Sequence, residues 1–327
     1  MIKVGILGAT GAVGRQMLEC IEERNIDAEV RLFASERSVG KKMKYKDGEI
    51  AVQAVTPENL AGLDYVLGAV SNALSKDYRP LVKAAGAVYI DNSSAFRLEE
   101  GVPLVVPEIN GEDALKHNGI IANPNCSTII TMMALAPIAK ISPITKIQAS
   151  TYQAVSGAGI GGLRELNDQV NAIVNNEPVT NSVFPAQIAF NCIAEIGSYL
   201  DNGYTTEEMK MQNEGRKILH LPDLKVTCTC VRVPVYRSHS ISASFITEDH
   251  VTVEQAEQAI AAFEGDVLVR DHVPQPLETS NQDLVYVGRV RRDLTDDNGL
   301  ALWCCGDQIR KGAASNAVSI MEYLMNH

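Results

Sequence analysis

The chain has 327 residues, 46% hydrophobic and 21% charged, a globular composition of a length that suggests two domains. Its formal net charge is −11 without a long run of one sign, which argues against nucleic acid and anionic membranes but leaves room for a small anionic substrate held by local cations. No stretch of eighteen apolar residues occurs, and the seven cysteines fit neither a disulfide framework nor metal-ligand spacing, so no membrane span, no metal and a reducing, cytoplasmic setting are expected.

The apolar opening, residues 2–7, reads as a strand rather than a signal peptide, because it lacks a basic lead and runs into a glycine-rich turn. Gly8, Gly11 and Gly14 form a G-x-x-G-x-x-G variant of the dinucleotide fingerprint, followed by Val13, Met17 and Ile21 at helical spacing. The first glycine permits the tight turn, the second close approach to a pyrophosphate, and the third packing of helix on strand. A second strand over 30–34 ends in Ser35-Glu36-Arg37-Ser38. One cation and two hydroxyls suit the 2′-phosphate of NADP, although Glu36 could serve the ribose of NAD.

A third strand over 65–70 ends in Ser71-Asn72, a helix is expected over 75–85, and a strand over 88–91 leads to Asn92-Ser93-Ser94-Ala95-Phe96-Arg97. Strands alternating with helices predict a Rossmann-like, doubly wound parallel sheet with ligands at the carboxyl ends of its strands. Arg97 falls there and is a candidate anion clamp. So does Cys126, in Asn123-Pro124-Asn125-Cys126-Ser127-Thr128, between a β-like run at 119–122 and a buried helical run at 129–137. At a strand-to-helix turn, unpaired N–H groups and the positive end of the helix dipole favour the thiolate, the nucleophilic form. The alternative is a small cysteine that merely packs.

The second half reads as α+β with a mostly antiparallel sheet. A longer strand over 144–152 runs into a small-residue turn, 153–159, where Gln153 could donate to a substrate oxygen and Ser156-Gly157 could approach the nicotinamide. A helix is expected over 163–174, and another is opened by Thr205 as a cap; Glu207 and Lys210 share a face of it, as an ordinary surface pair would. Strands over 225–233 and 240–247 frame His239, which lies beside Arg232 and Arg237 and could act as a base. Strands over 267–269, 285–291 and 300–306 follow, then Gly306-Asp307-Gln308 and a final helix over 311–324.

GATGAVG at 8–14, DNSSAFR at 91–97, NPNCST at 123–128, TYQAVSGAG at 151–159, EEMK at 207–210, CVRVPVYRSHS at 230–240 and GDQ at 306–308 resemble, in order and spacing, the bacterial type of the aspartate-β-semialdehyde dehydrogenase family. The resemblance covers the whole chain. It implies Cys126 as acyl-thioester nucleophile and His239 as proton acceptor. Gln153, Glu207 and Arg232 become substrate contacts, and Arg97 and Lys210 phosphate contacts. NADP is implied against Gly8, Thr10, Gly11, Ala12 and Val13, against Ser35, Arg37 and Ser38, and against Ser156, Gly157 and Gln308. Backbone N–H groups near Cys126 and the Asn125 side chain are candidates to hold an oxyanion. The glycine-rich segment that many relatives carry after the third strand is here Ser71-Asn72-Ala73.

The reaction implied is reversible and phosphate-dependent. L-aspartate 4-semialdehyde, phosphate and NADP give L-4-aspartyl phosphate and NADPH, serving lysine, threonine, methionine and diaminopimelate formation. The family also implies a homodimer through the second domain. The domains expected are 1–127 with a C-terminal helix 308–327, and 128–307. Two rivals are N-acetyl-γ-glutamyl-phosphate reductase, which shares cysteine, fold and reaction type, and a non-catalytic dinucleotide-sensing protein. Glu207 argues against the first, because an acetylated amine needs no carboxylate, and Cys126 with His239 argues against the second.

Overall fold

The computed structural model describes residues Met1–His327. In chain order, β1 (Ile2–Leu7), α1 (Ala12–Glu23), β2 (Ala28–Phe33), β3 (Lys42–Tyr45), β4 (Gly48–Gln53), α2 (Pro57–Leu60), β5 (Tyr65–Gly68), α3 (Asn72–Ala84), β6 (Val88–Asp91), α4 (Pro107–Asn110) and β7 (Ile120–Ala122) come first. Then follow α5 (Cys126–Ala139), β8 (Ile144–Gln153), α6 (Gly159–Val174), α7 (Thr206–Ile218), β9 (Lys225–Arg232), β10 (His239–Thr247), α8 (Val253–Ala262), β11 (Asp266–Val269), α9 (Pro276–Thr279), β12 (Val285–Arg292), β13 (Gly299–Gly306) and α10 (Ser315–Asn326). The chain groups into two compact units, Met1–Asn125 with Ala313–His327, and Cys126–Gly312. Cys126, Ser127 and residues 308–312 thus count with the second unit, because α5 begins at Cys126 and packs on β8, β10, β12 and β13. No helix is long and apolar enough to cross a membrane.

The first unit is built on a seven-stranded sheet of order β3-β4-β2-β1-β5-β6-β7. Every pairing from β4 to β7 is parallel, and the strand order reverses about β1, which lies between β2 and β5. Val4 and Ile6 of β1 pack in one core with Met17 and Ile21 of α1 and with Val318 and Met321 of α10. The glycines of the first turn are needed for close approach: a Cβ on Gly8 (φ +76°) would stand 2.2 Å from Ala69 O, and one on Gly14 would stand 2.3 Å from Gly8 O. Several details depart from the sequence reading, three of them near the site-bearing loops or the sheet edge. β5 stops at Gly68 instead of 70; α3 starts at Asn72 instead of 75, with Ser71 as its N-cap; and the antiparallel hairpin β3–β4 was not anticipated.

The second unit carries a six-stranded sheet of order β11-β12-β13-β10-β8-β9. β10 runs antiparallel to both β13 and β8, and β12 antiparallel to β13, whereas β8–β9 and β11–β12 are parallel. α5 has no polar face; Ser127 through Ile138 are all buried, as expected of a helix packed on every side. The register sets the site. Gln153, the last residue of β8, pairs with Arg232, the last of β9, and His239, the first of β10, pairs with Gly306, the last of β13. Ser240 pairs with Tyr152, which brings the four ends to one edge of the sheet.

Candidate active site

Cys126 is the first residue of α5 and is partly exposed, whereas the rest of the helix through Ile138 is buried. Its thiol therefore sits at the N-terminus of α5, the positive end of the helix dipole. Gly312 packs directly against it; a Cβ there would stand 2.8 Å from Cys126 Cβ and 3.2 Å from its Cα.

His239 is fully buried, and its Nε2 lies 3.4 Å from Cys126 Sγ. Its Nδ1 accepts the Ala154 backbone N–H at 3.1 Å. Burial, reinforced by the nearby positive charge of Arg232, pulls the imidazole pKa down to about 3. The ring is thus neutral, and with Nδ1 occupied as acceptor its hydrogen is assigned to Nε2, facing the thiol. In this tautomer His239 presents an N–H towards Cys126; the sequence reading gives it the role of proton acceptor. Gln153 Nε2 lies 3.4 Å from the same His239 nitrogen and donates to Glu207 Oε1 at 3.3 Å. Its Oε1 accepts from Thr151 Oγ1 at 3.0 Å, which fixes the amide orientation. Gln153 and His239 thus meet at the His239 nitrogen that faces the Cys126 sulfur.

Arg232 is buried, donates through Nη1 to Ala154 O at 2.7 Å and forms no ion pair. Burial lowers its pKa, against the opposing influence of Cys126 and Glu207. A buried guanidinium with donors to spare is costly unless an anion completes it. Glu207 lies within the capping box that Thr205 and Glu208 form at the start of α7. Its carboxylate takes the Lys210 ammonium at 2.7 Å, so the pair expected on a surface is instead one element of this cluster, with Glu207 buried.

The remaining positions of this unit form a second network. Gln308 Oε1 accepts the Ser238 N–H at 2.8 Å, its Nε2 donates to Ser156 Oγ, and that hydroxyl donates to Tyr236 O. Ser238, just before His239, has φ +71°, a left-handed backbone rare for a residue with a side chain. Asp307 underpins the arrangement. Its buried carboxylate accepts from Ile309 N at 2.8 Å, Arg310 N at 3.1 Å, Asn281 N at 2.6 Å and Arg237 Nε at 2.5 Å. Gly157 belongs here too; a Cβ on it would stand 2.7 Å from Arg232 Nη1 and 3.3 Å from His239 Cε1.

Two family models match the chain: the semialdehyde dehydrogenase NAD binding domain over residues 3–117 and the semialdehyde dehydrogenase dimerisation domain over 135–311. The aspartate-semialdehyde dehydrogenase of Bacillus subtilis is 45% identical, over 99% of this chain and 97% of that protein. This chain belongs to the aspartate-semialdehyde dehydrogenase family. It is an oxidoreductase with an NAD(P)-binding domain. A structure of aspartate semialdehyde dehydrogenase II from Vibrio cholerae complexed with ASA has a TM-score of 0.98 and 41% identity, covering 100% of this chain and 98% of that one. Another, from Candida albicans with NADP, has a TM-score of 0.78 and 25% identity over 99% of this chain and 98% of that one.

The first unit fits the dinucleotide that the family uses. Gly11 is the N-cap of α1 and contributes no side-chain cap, so no cap side chain closes the helix N-terminus beside Thr10, Ala12 and Val13. Ser35 and Arg37 are exposed after β2, on either side of Glu36, and Ser38 is buried. Arg97 is buried, donating from Nε to Asn123 O at 3.0 Å and from Nη2 to Asn92 O at 2.8 Å. It thereby ties the loop after β6 to the segment before Cys126. Asn125 is buried immediately before the nucleophile. Sequence reasoning missed the parts played by Gly312, by Asp307 and by the Ala154 N–H. The small-residue run Gly312-Ala313-Ala314 was the one available signal for the first.

Proposed function

We propose that this enzyme interconverts L-aspartate 4-semialdehyde, phosphate and NADP with L-4-aspartyl phosphate and NADPH through a thioester on Cys126. The observation that carries this reading is the Cys126 sulfur at the start of α5, 3.4 Å from His239 Nε2, in one cluster with an arginine that lacks a counter-ion.

The Cys126 thiolate adds to the aldehyde carbon, and the carbonyl π pair moves to oxygen. The N–H groups of His239 and Gln153, with backbone N–H groups of the first turn of α5, stabilise the alkoxide. NADP, when bound, supplies the acceptor for the hydride that leaves this carbon. The alkoxide pair then re-forms the C=O, so carbon stays joined to sulfur as a thioester. An oxygen of phosphate attacks that carbon, the C–S bond breaks, and the thiolate returns to the helix terminus. The one proton released is the one phosphate loses. Arg232 would take the substrate α-carboxylate and Glu207 the α-ammonium, with Lys210 and Arg97 as the cations for phosphate. An acetylated substrate would offer Glu207 no α-ammonium beyond the Lys210 contact it already makes, which disfavours N-acetyl-γ-glutamyl-phosphate reductase.

NADP is the cofactor proposed because Arg37, Ser35 and Ser38 suit a 2′-phosphate, and Ser156, Gly157 and Gln308 are proposed on its nicotinamide side. The proposed setting is the cytoplasmic synthesis of lysine, threonine, methionine and diaminopimelate, by a homodimer. The direct test is NADPH formation from aspartate semialdehyde by the purified protein with and without phosphate. NADPH formation that ignores phosphate, or none at all, would overturn the proposal.

A further inference from the structure

Between α6 and α7 the chain runs for some thirty residues with no helix or strand of its own, a length that in compact domains usually marks a functional loop. Its shape is imposed from α6. Glu165 is buried, although a carboxylate at its place in an amphipathic helix would ordinarily face water. One oxygen accepts from Ser182 N at 2.7 Å, Ser182 Oγ at 2.7 Å and Val183 N at 2.5 Å; the other accepts from Phe184 N at 3.2 Å. These bonds outweigh burial and hold the carboxyl below its ordinary pKa. One turn on, Gln169 Oε1 accepts from Ile188 N at 2.8 Å and Ala189 N at 3.0 Å.

The segment so held leads to Arg232 in two ways. The Phe184 ring lies 5.8 Å from the Arg232 guanidinium. Ile193 exchanges both backbone hydrogen bonds with Arg232, at 2.8 and 3.0 Å. Val183, Phe184, Glu195, Gly197 and Arg232 line a cavity of about 450 Å³.

We propose that Glu165 is a positioning residue for substrate recognition: by gathering the N–H groups of residues 182–184 it seats the Phe184 ring on Arg232, fixing the guanidinium that takes the α-carboxylate. This rests on the role given to Arg232 above. An aromatic face orients a guanidinium and favours its charged form without consuming a hydrogen-bond donor. The donors not used on Ala154 O stay available to a carboxylate.

The test compares Glu165→Gln, Phe184→Leu and Phe184→Tyr with wild type. Glu165→Gln puts an amide NH2 among backbone donors. Phe184→Leu keeps the Glu165 bonds and removes only the ring. Both should raise KM for semialdehyde about three- to tenfold, with KM for phosphate and the rate of Cys126 alkylation within about twofold. Phe184→Tyr should stay close to wild type. A second readout does not need turnover: modification of Arg232 by phenylglyoxal, followed on its peptide by mass spectrometry, should be faster in the first two variants. Equal changes in both KM values, or no effect of Phe184→Leu on KM, would overturn the proposal. A wild type inactive towards semialdehyde would overturn the proposed function instead, while the Arg232 modification rates would still decide whether Glu165 positions it.

Discussion

His239 offers its Nε2 to Cys126 Sγ at 3.4 Å because its other nitrogen is already engaged, accepting the Ala154 N–H at 3.1 Å. With its hydrogen assigned to Nε2, a neutral ring held this way would donate to a thiolate and would not store its proton as an imidazolium. Iodoacetamide inactivation of the wild type should therefore follow a single ionisation. His239→Ala should move it upward by about one to two pH units, since a charge-assisted hydrogen bond is worth roughly 1.5–3 kcal/mol. A thiolate–imidazolium pair would instead give two inflections in the wild type.

The same burial makes His239 a source of acid sensitivity. Its folded pKa of about 3 lies below the ordinary 6.5, so between those values the unfolded chain binds more protons than the folded one. Its stabilising contribution is complete above pH 6.5 and is lost as pH falls toward 3. The slope is up to roughly 1 kcal/mol per pH unit. His239→Gln cannot titrate, so its Tm should fall less between pH 7 and pH 4. Parallel Tm curves would show that the imidazole is not held neutral.

Much of this was legible because it is local. The strand-to-helix turns at Gly8 and at Cys126 each declare themselves within a dozen residues, and Thr205 announces α7. The hairpin β3–β4 was missed because its first strand is only four residues long, although Lys42, Met43, Lys44 and Tyr45 alternate polar and apolar and Asp47-Gly48 is a turn signal. Three features are long-range. The small-residue run at Gly312 hints at a close approach but does not name Cys126 as the neighbour. Glu165 reads as a solvated helix residue until the loop that wraps it is seen. The tautomer of His239 depends on a backbone N–H supplied by another strand's end.

Lys210 is held by Glu207 at 2.7 Å, so its removal tests two roles at once. If it binds phosphate, Lys210→Met should raise KM for phosphate more than KM for semialdehyde, and Lys210→Arg should recover much of the loss. A larger effect on semialdehyde would reduce Lys210 to a counter-ion that orients Glu207 for the substrate ammonium.

Arg37 is exposed beside Glu36, which suits a residue that reads a phosphate at the end of a bound dinucleotide. Arg37→Ala should weaken NADP binding far more than NAD binding, by the roughly 1.5–3 kcal/mol of a charge-assisted hydrogen bond. Isothermal titration with both cofactors measures this directly, and equal losses would remove Arg37 from cofactor choice.

Gly312 is the most stringent case, because its neighbours are the Cβ and Cα of Cys126, which no side-chain rotation can move aside. In Gly312→Ala the new Cβ would stand 2.8 Å from Cys126 Cβ and 3.2 Å from its Cα, and α5 beyond Cys126 is buried on every side. The helix cannot slide away without disturbing its whole packing, so the strain must fall on its first turn, where the nucleophile sits. Overpacking of this kind costs roughly 1–3 kcal/mol, which should lower Tm yet leave the protein folded. The loss of turnover should be larger than the loss of stability implies, because displacing a reacting atom by about 1 Å can cost on the order of 10²-fold. The measurement is kcat beside Tm and the Cys126 alkylation rate in one preparation. A variant with lowered Tm but unchanged kcat would show that the close approach of Gly312 serves packing alone.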